Sequence, residues 1–221
     1  MEIIDLTYNI EENMSIFDAP WHSKISITQM GRISCEGRET RRICLGTHSG
    51  THMDAPLHFI SQGNTIDEIP LSRLIGGVTI VDFSRLQENE VVTRKMLERI
   101  SISKRMIFNF GWGKNWKKSN FFMGYPFLSY EAAEYLISEK IEVLGMDTPS
   151  PDDSRVNVCD PNLERCNDSP IHKLLLKHGI IIIEYLANLN EIEQPEGWNL
   201  LALPLKIKGA DGAPIRVCIY R

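Results

Sequence analysis

The sequence predicts a single α/β domain, a mixed and mostly parallel sheet with flanking helices, and three observations carry that reading. Between Val78 and Glu184 short apolar runs alternate with helix-spaced segments, the pattern of strand–helix–strand crossovers. With 221 residues, 43% of them hydrophobic, the chain is long enough for a sizeable core. No linker-like stretch divides it, so residues 1–221 read as one unit.

Taken in order, EIIDLT at 2–7 alternates loosely and reads as a first strand. The turn-rich segment from Tyr8 to His22 follows, with Asn13, Asp18 and Pro20. It carries Phe17 and Trp21 without a helical period, so these aromatics either clamp onto the core or line a pocket; His22 reads as a pocket group or as surface. Segments 24–30 and 40–47 look like strands, with Gly31 and Gly37 marking the turn between them. GNTIDEIP at 63–70 is a polar turn leading to LSRLIG, and VTIVDF at 78–83 is a short strand. The Thr93 hydroxyl can cap a helix running to about Ile100. RMIFNF at 105–110 is the next strand, and the GWG that ends it suggests close backbone approach, with substrate as one partner; Trp112 reads as core.

Ser129 opens the helix SYEAAEYLISEK, which places Ala132, Ala133, Leu136 and Ile137 on one face. A strand from Ile141 to Met146 ends at Asp147, and ligands bind at the carboxyl ends of such strands. Asp147 itself reads as a cap for the Thr148–Ser150 turn. Asp168, Ser169 and Pro170 form a helix start with His172 in its first turn, and Gly179 ends the helix after the C-terminal His178. Ile180 to Ile183 make a buried strand finishing in Glu184, whose carboxylate is costly to desolvate unless a cation, an arginine or water meets it. Strands at 203–208 and 214–220 are joined by GADGAP, a turn carried by Gly209, Asp211 and Gly212.

Composition excludes several classes. A net charge of −5 gives no electrostatic reason to expect nucleic acid or an anionic membrane, and Lys114, Lys117 and Lys118 around Trp116 read as a solvated loop. Five cysteines, an odd number without a CxxC pair, argue against a disulfide framework, and the Cys159–Cys166 spacing fits no zinc motif. The acidic start MEIIDLTYNIEEN lacks the apolar stretch of a secretory leader, and no run reaches membrane-spanning length. Cytoplasm is the expected compartment.

The densest chemistry lies in THSGTHMDAPLHF at 47–59, where His48, His52, Asp54 and His58 fall within eleven residues. Imidazole nitrogens and carboxylate oxygens are ligands for a divalent cation such as zinc, and the same groups move protons near neutral pH. A straight strand would separate His48 from Asp54 by roughly 20 Å. A helix is disfavoured by Gly50 and Pro56. The spacing therefore predicts a curled loop or short helical turn wrapped around an ion, with Gly46 and Gly50 permitting close approach.

HSGTHMDAPLHF closely resembles the HxGTHxDxPxHF motif of the cyclase family of metal-dependent hydrolases, which includes bacterial kynurenine formamidase and is related to isatin hydrolase. The resemblance continues through VLGMDTPSPD at 143–152, HKLLLKHGIIIIEYLANL at 172–189 and LPLKIKGADGAPIRV at 203–217, nearly the whole chain. It implies the swivelling β/β/α, cyclase-like form of the fold. It further implies His48, His52 and Asp54 as ligands of a first metal, with Asp54 bridging to a second. His172 becomes a ligand of that second ion, Glu184 a carboxylate shared between the two, and His58 the proton donor and acceptor. Asp147 lies near the site in that family, which leaves it a supporting role. Two ions are implied, zinc first on ligand type and manganese next.

The activity implied is hydrolysis of a small-molecule amide by a metal-activated hydroxide; N-formyl-L-kynurenine plus water giving formate and kynurenine is the best-known family reaction. The segment IFDAPWH at 16–22 departs from the family's proline-glycine-aspartate turn, and Trp21 is its aromatic set against the substrate ring. That departure keeps open a cyclic amide, imide or lactone substrate, as for isatin hydrolase. A non-catalytic metal-binding protein is the third reading, against which the presence of His58 beside five ligands speaks. The family also implies a homodimer or homotetramer.

Overall fold

A computed structural model describes residues 1–156 and 168–221. The strands are β1 (Ile3–Asp5), β2 (Ser26–Gly31), β3 (Thr40–Cys44), β4 (His52–Asp54), β5 (Ile75–Gly77), β6 (Thr79–Asp82), β7 (Val91–Val92), β8 (Arg105–Asn109), β9 (Phe127–Leu128), β10 (Val143–Met146), β11 (Ile181–Glu184), β12 (Asn199–Pro204) and β13 (Gly212–Tyr220). The α-helices are α1 (Ile33–Glu36), α2 (Leu71–Leu74), α3 (Arg94–Leu97), α4 (Tyr130–Ser138) and α5 (Pro170–Lys177).

Nine strands form one mixed sheet in the order β5-β12-β13-β4-β11-β10-β8-β6, with β1 beside β13. The parallel pairing that the alternation predicts holds for β6, β8, β10 and β11. From β4 through β13 and β12 to β5 the pairing is antiparallel, because β4 is inserted between strands that lie far from it in the chain. The β2–β3 hairpin stands apart as a two-stranded sheet.

Period-2 alternation splits the sheet between two cores. On one face Phe108, Leu144 and Ile182 pack with Ala132, Ala133 and Leu136 of α4 and Leu175 of α5. On the other, Met53, Ile107, Val143, Ile181 and Ile183 share a core with Leu200, Val217 and Ile219 of the antiparallel half. Each fully buried Ile or Leu contributes about 1.5–3 kcal/mol, so the isoleucine run is held from both sides. Glu184 continues the alternation onto the face of Ile182, beneath α5.

Several local expectations are corrected. Thr93 occupies the N-cap position but makes no side-chain cap bond, and its helix closes at Leu97 rather than Ile100. The α5 start lies where Asp168, Ser169 and Pro170 place it, with Pro170 as its first residue, but the amides of Ile171 and His172 are accepted at 2.6 and 3.1 Å by the Asp152 carboxylate, from outside that trio. The strand expected at 203–208 is displaced to 199–204, paired with β13. Asp147 does not cap its own turn: it accepts the Phe110, Trp112 and Gly113 amides at 2.8, 2.6 and 3.2 Å, which pins the GWG turn. Trp112 is core, and the Ser129 cap forms with Ala132 N at 3.1 Å. Cys35, Cys44 and Cys218 are free thiols, while Cys159 and Cys166 lie outside the described residues.

Candidate metal centre

The THSGTHMDAPLHF stretch curls as expected at 47–51, but His52–Asp54 is a strand, followed by a 3-10 turn at Pro56–His58. Gly50, at φ 64, turns the chain into β4. His52 and Asp54 are two residues apart and point to one face, and the register sets Glu184 of β11 directly across from His52. That places three donors on one wall, with His52 Nε2 at 3.4 Å from both Asp54 Oδ1 and Glu184 Oε2. The first turn of α5 brings His172 Nε2 to 2.9 Å from Glu184 Oε1 and 3.5 Å from Asp54 Oδ2. The curl before β4 brings His48 Nδ1 to 2.7 Å from Asp54 Oδ1, and the turn after it sets the His58 ring against His48, with centroids 3.9 Å apart and planes tilted by 33°.

Hydrogen bonding leaves these groups aimed inward. His52 Nδ1 lies 2.7 Å from the Gly50 carbonyl, which can only accept, so that nitrogen carries the proton and Nε2 presents its lone pair to the carboxylates. His172 is oriented in the same way, its Nδ1 at 2.6 Å from Asp152 Oδ2. A carboxylate behind a ligating imidazole fixes its tautomer and raises its basicity.

Asp54 decides what the centre requires. Only 1% of it is exposed, and neither carboxylate oxygen makes a hydrogen bond of acceptable geometry. Two buried oxygens without a hydrogen bond, beside a second buried carboxylate, need positive charge close by, which protonated imidazoles or a bound cation supply. The donors suit one: His52, Asp54 and Glu184 offer ligand atoms within 4.8 Å of one another, as do His48, Asp54 and His58. These triads divide the residues differently from the family-based assignment, drawing His58 beside the first site. Burial opposes ionisation of Asp54, but the His48 and His58 charges outweigh it and hold the carboxyl well below its usual range. Burial likewise opposes a charge on His48, yet Asp54 and Asp211 push that ring up to about 10. His172 is held above the ordinary imidazole range by Glu184, Asp152 and Asp54 against the same desolvation.

A cavity of about 540 Å³ opens over these groups, walled by Phe17, Trp21, Phe59, Tyr125 and Tyr185. Phe17 packs edge-on to His22 and Phe122, while Trp21 sits at the rim, 69% exposed. His22 lines the cavity 6.2 Å from His48, so it is a pocket group rather than plain surface. The GWG turn does not line it. A larger groove of about 660 Å³ beside the β2–β3 hairpin holds no carboxylate or imidazole, so size does not identify the site. Sequence reasoning missed Asp152, and it saw Asp211 only as a turn residue although its Oδ2 lies 2.8 Å from His48 Nε2 and 3.1 Å from His58 Nδ1.

Comparison with known proteins agrees with this architecture. The Cyclase family model matches residues 4–153. The chain is 31% identical to a kynurenine formamidase of Bacillus cereus over 180 residues, 80% of this chain and 78% of that protein. An isatin hydrolase bound to the product analogue thioisatinate superposes with a TM-score of 0.85 at 27% identity, covering 99% of this chain and 91% of that one. A protein described as a predicted metal-dependent hydrolase from Bacillus stearothermophilus superposes at 0.75 with 28% identity, covering 99% and 97%. The match over residues 4–153, together with the curated relative, places this chain in the Cyclase family.

Proposed function

We propose that this chain, as one domain over residues 1–221, is a metal-dependent amide hydrolase that releases formate from an aryl formamide of the N-formyl-L-kynurenine type. The observation that carries the reading is Asp54, buried with both oxygens unsatisfied among imidazoles and a second carboxylate. His48, His52, Asp54, His172 and Glu184 would hold two ions, zinc by donor type and manganese next. When bound, such ions make water nucleophilic near neutral pH and polarise an acyl oxygen.

The side chains divide the remaining work. Phe17, Trp21 and Phe59 receive an aryl ring against their apolar faces. Asp54 and Glu184 would offset the mutual repulsion of two cations. His58, at the cavity wall and outside the wall of three donors, passes a proton to the departing amine.

Metal content measured on protein purified without added ions, with formate release from N-formyl-L-kynurenine beside isatin and simple lactones, tests the reading. The expected result is bound zinc and preference for the formamide; turnover of the cyclic substrates alone would replace it, and metal without turnover would leave a binding protein. Among the described residues no helix is long and apolar enough to cross a membrane. A cytoplasmic homodimer or homotetramer completes the proposal, supported by the exposed Met30, Ile33 and Ile43 of the hairpin region, and sedimentation measures it.

A further inference from the structure

We propose that Asp211 is a positioning residue that holds the His48 ring in place and sets the tautomer of His58, leaving His58 Nε2 as the nitrogen that accepts and returns the proton; this deepens, and rests on, the amide hydrolase reading. One oxygen, Oδ2, faces His48 Nε2 at 2.8 Å and His58 Nδ1 at 3.1 Å. An ionised carboxylate oxygen only accepts, and it has lone pairs for two donors. Each imidazole therefore satisfies it by placing its proton on the nitrogen that faces Asp211. His48 faces a carboxylate on both sides, Asp54 Oδ1 at 2.7 Å from Nδ1 and Asp211 Oδ2 at 2.8 Å from Nε2, so Asp211 holds this ring in place from the side away from Asp54. For His58 the consequence is a bare Nε2. The opposite tautomer would set the Nδ1 lone pair of His58 against a negatively charged oxygen, which repels it. Asp211 thus joins His48 and the proton carrier through one atom, and the two rings lie in contact, centroids 3.9 Å apart with planes tilted by 33°.

The turn that carries Asp211 is tied down on every side, as a positioning device must be. Ala55 N donates to the Asp211 carbonyl at 2.9 Å, Ile66 N to the Ala210 carbonyl at 2.9 Å, and Gly209 N to Asp67 Oδ1 at 2.9 Å. The next residue, Gly212, pairs with Asp54 across β4. A Cβ there would lie 2.7 Å from the Met53 carbonyl and 2.9 Å from His48 Cε1, so only glycine lets this turn press so close to the His48 ring. The same geometry lets the carboxylate act a second time. As His58 takes up a proton, the charge forms beside Asp211, in the relation by which a buried aspartate stabilises an imidazolium in a catalytic triad.

Nitrogen-15 NMR of the imidazoles tests this on the full chain, as purified and again after chelation, at alkaline pH where the neutral ring is populated. His58 is assigned by its loss in His58→Gln. The expected spectrum shows His58 with its proton on Nδ1, moving to Nε2 in Asp211→Ala and back toward Nδ1 in Asp211→Glu. At saturating zinc, Asp211→Ala should lower kcat by roughly 10–100-fold while KM moves by less than about threefold, the scale expected for an outer partner of a reacting imidazole. A wild-type His58 protonated on Nε2, or a His58 signature unchanged in Asp211→Ala, would overturn the assignment. Asp211→Val, which keeps the position filled but has no acceptor, provides the same readout if the alanine variant fails to fold. Failure of the hydrolase reading itself would appear as absent turnover in wild type with the tautomer pattern intact.

Discussion

The two walls of the cavity are built by different means. The floor is strand: His52, Asp54 and Glu184 are buried, and their positions follow from the pleat of β4 and its register with β11. The opposite side is loop: residues 17–22 contain no helix or strand, and Trp21 is 69% exposed. A strand pair cannot shift by one residue without turning its donors into the other core, whereas a loop changes length and composition at little cost. Under the proposed function, reaction chemistry belongs to the floor and substrate choice to the rim. The departure of IFDAPWH from the family turn falls on the rim.

The largest effect should come from breaking the floor. Asp54→Ala removes the carboxylate that reaches His48, His52 and His172, so turnover should fall by more than the ~100-fold that loss of an outer partner costs, together with bound metal measured by atomic absorption. Zinc at 100 times its Kd should stabilise wild type by about 2.7 kcal/mol in thermal or urea unfolding, and Asp54→Ala should lose most of that gain. Retention of full metal content would place the ion elsewhere.

One step out from the floor, Asp152→Asn should lower turnover by roughly 10–100-fold, because His172 loses the charged partner that orients it while Glu184 stays in place. The rim should respond differently. Trp21→Ala is expected to raise KM by less than about tenfold with kcat and metal content nearly unchanged, and Phe17→Ala should exceed it because Phe17 packs against Phe122 and His22. An equal fall in kcat for Trp21→Ala would erase the division between floor and rim.

How far the chain discloses this in advance follows the same line. These donors are legible because three histidines and Asp54 are crowded into 48–58 and because Glu184 ends an isoleucine run that buries it. The parallel half of the sheet is legible from the alternation of β6, β8, β10 and β11 with their helices. What stays hidden is register between distant segments: no local pattern places β4 between β11 and β13, and that insertion turns an expected loop into the strand that aligns His52 with Glu184. Asp152 and Asp211 are hidden for a related reason. Within SPD and ADG they read as ordinary turn residues, and only tertiary contact assigns them to His172, His48 and His58. The Thr93 cap does not form although its side chain is competent, and at the start of α5 a carboxylate distant in the chain, Asp152, already serves the helix end.

The smallest effect on turnover belongs to Asp147, and it isolates what makes the floor unusual. Asp147 is buried like Asp54, but its partners are backbone amides instead of imidazoles. Desolvation outweighs those three hydrogen bonds and raises its carboxyl to about 6, whereas Asp54 is lowered. The sign follows from linkage: between the unfolded value near 4 and the folded value, the native state holds a proton that the unfolded chain has released, so Asp147 favours folding most below that window and loses its contribution as pH rises through about 6. The difference of about two pH units corresponds to roughly 3 kcal/mol. Asp147→Asn removes this titration along with part of the hold on the GWG turn. Its stability deficit relative to wild type in urea unfolding should therefore shrink by up to that amount between pH 4 and pH 8, with metal content unchanged. A deficit independent of pH would mean that the three amides, not burial, govern this carboxyl, and that burial alone does not distinguish it from Asp54.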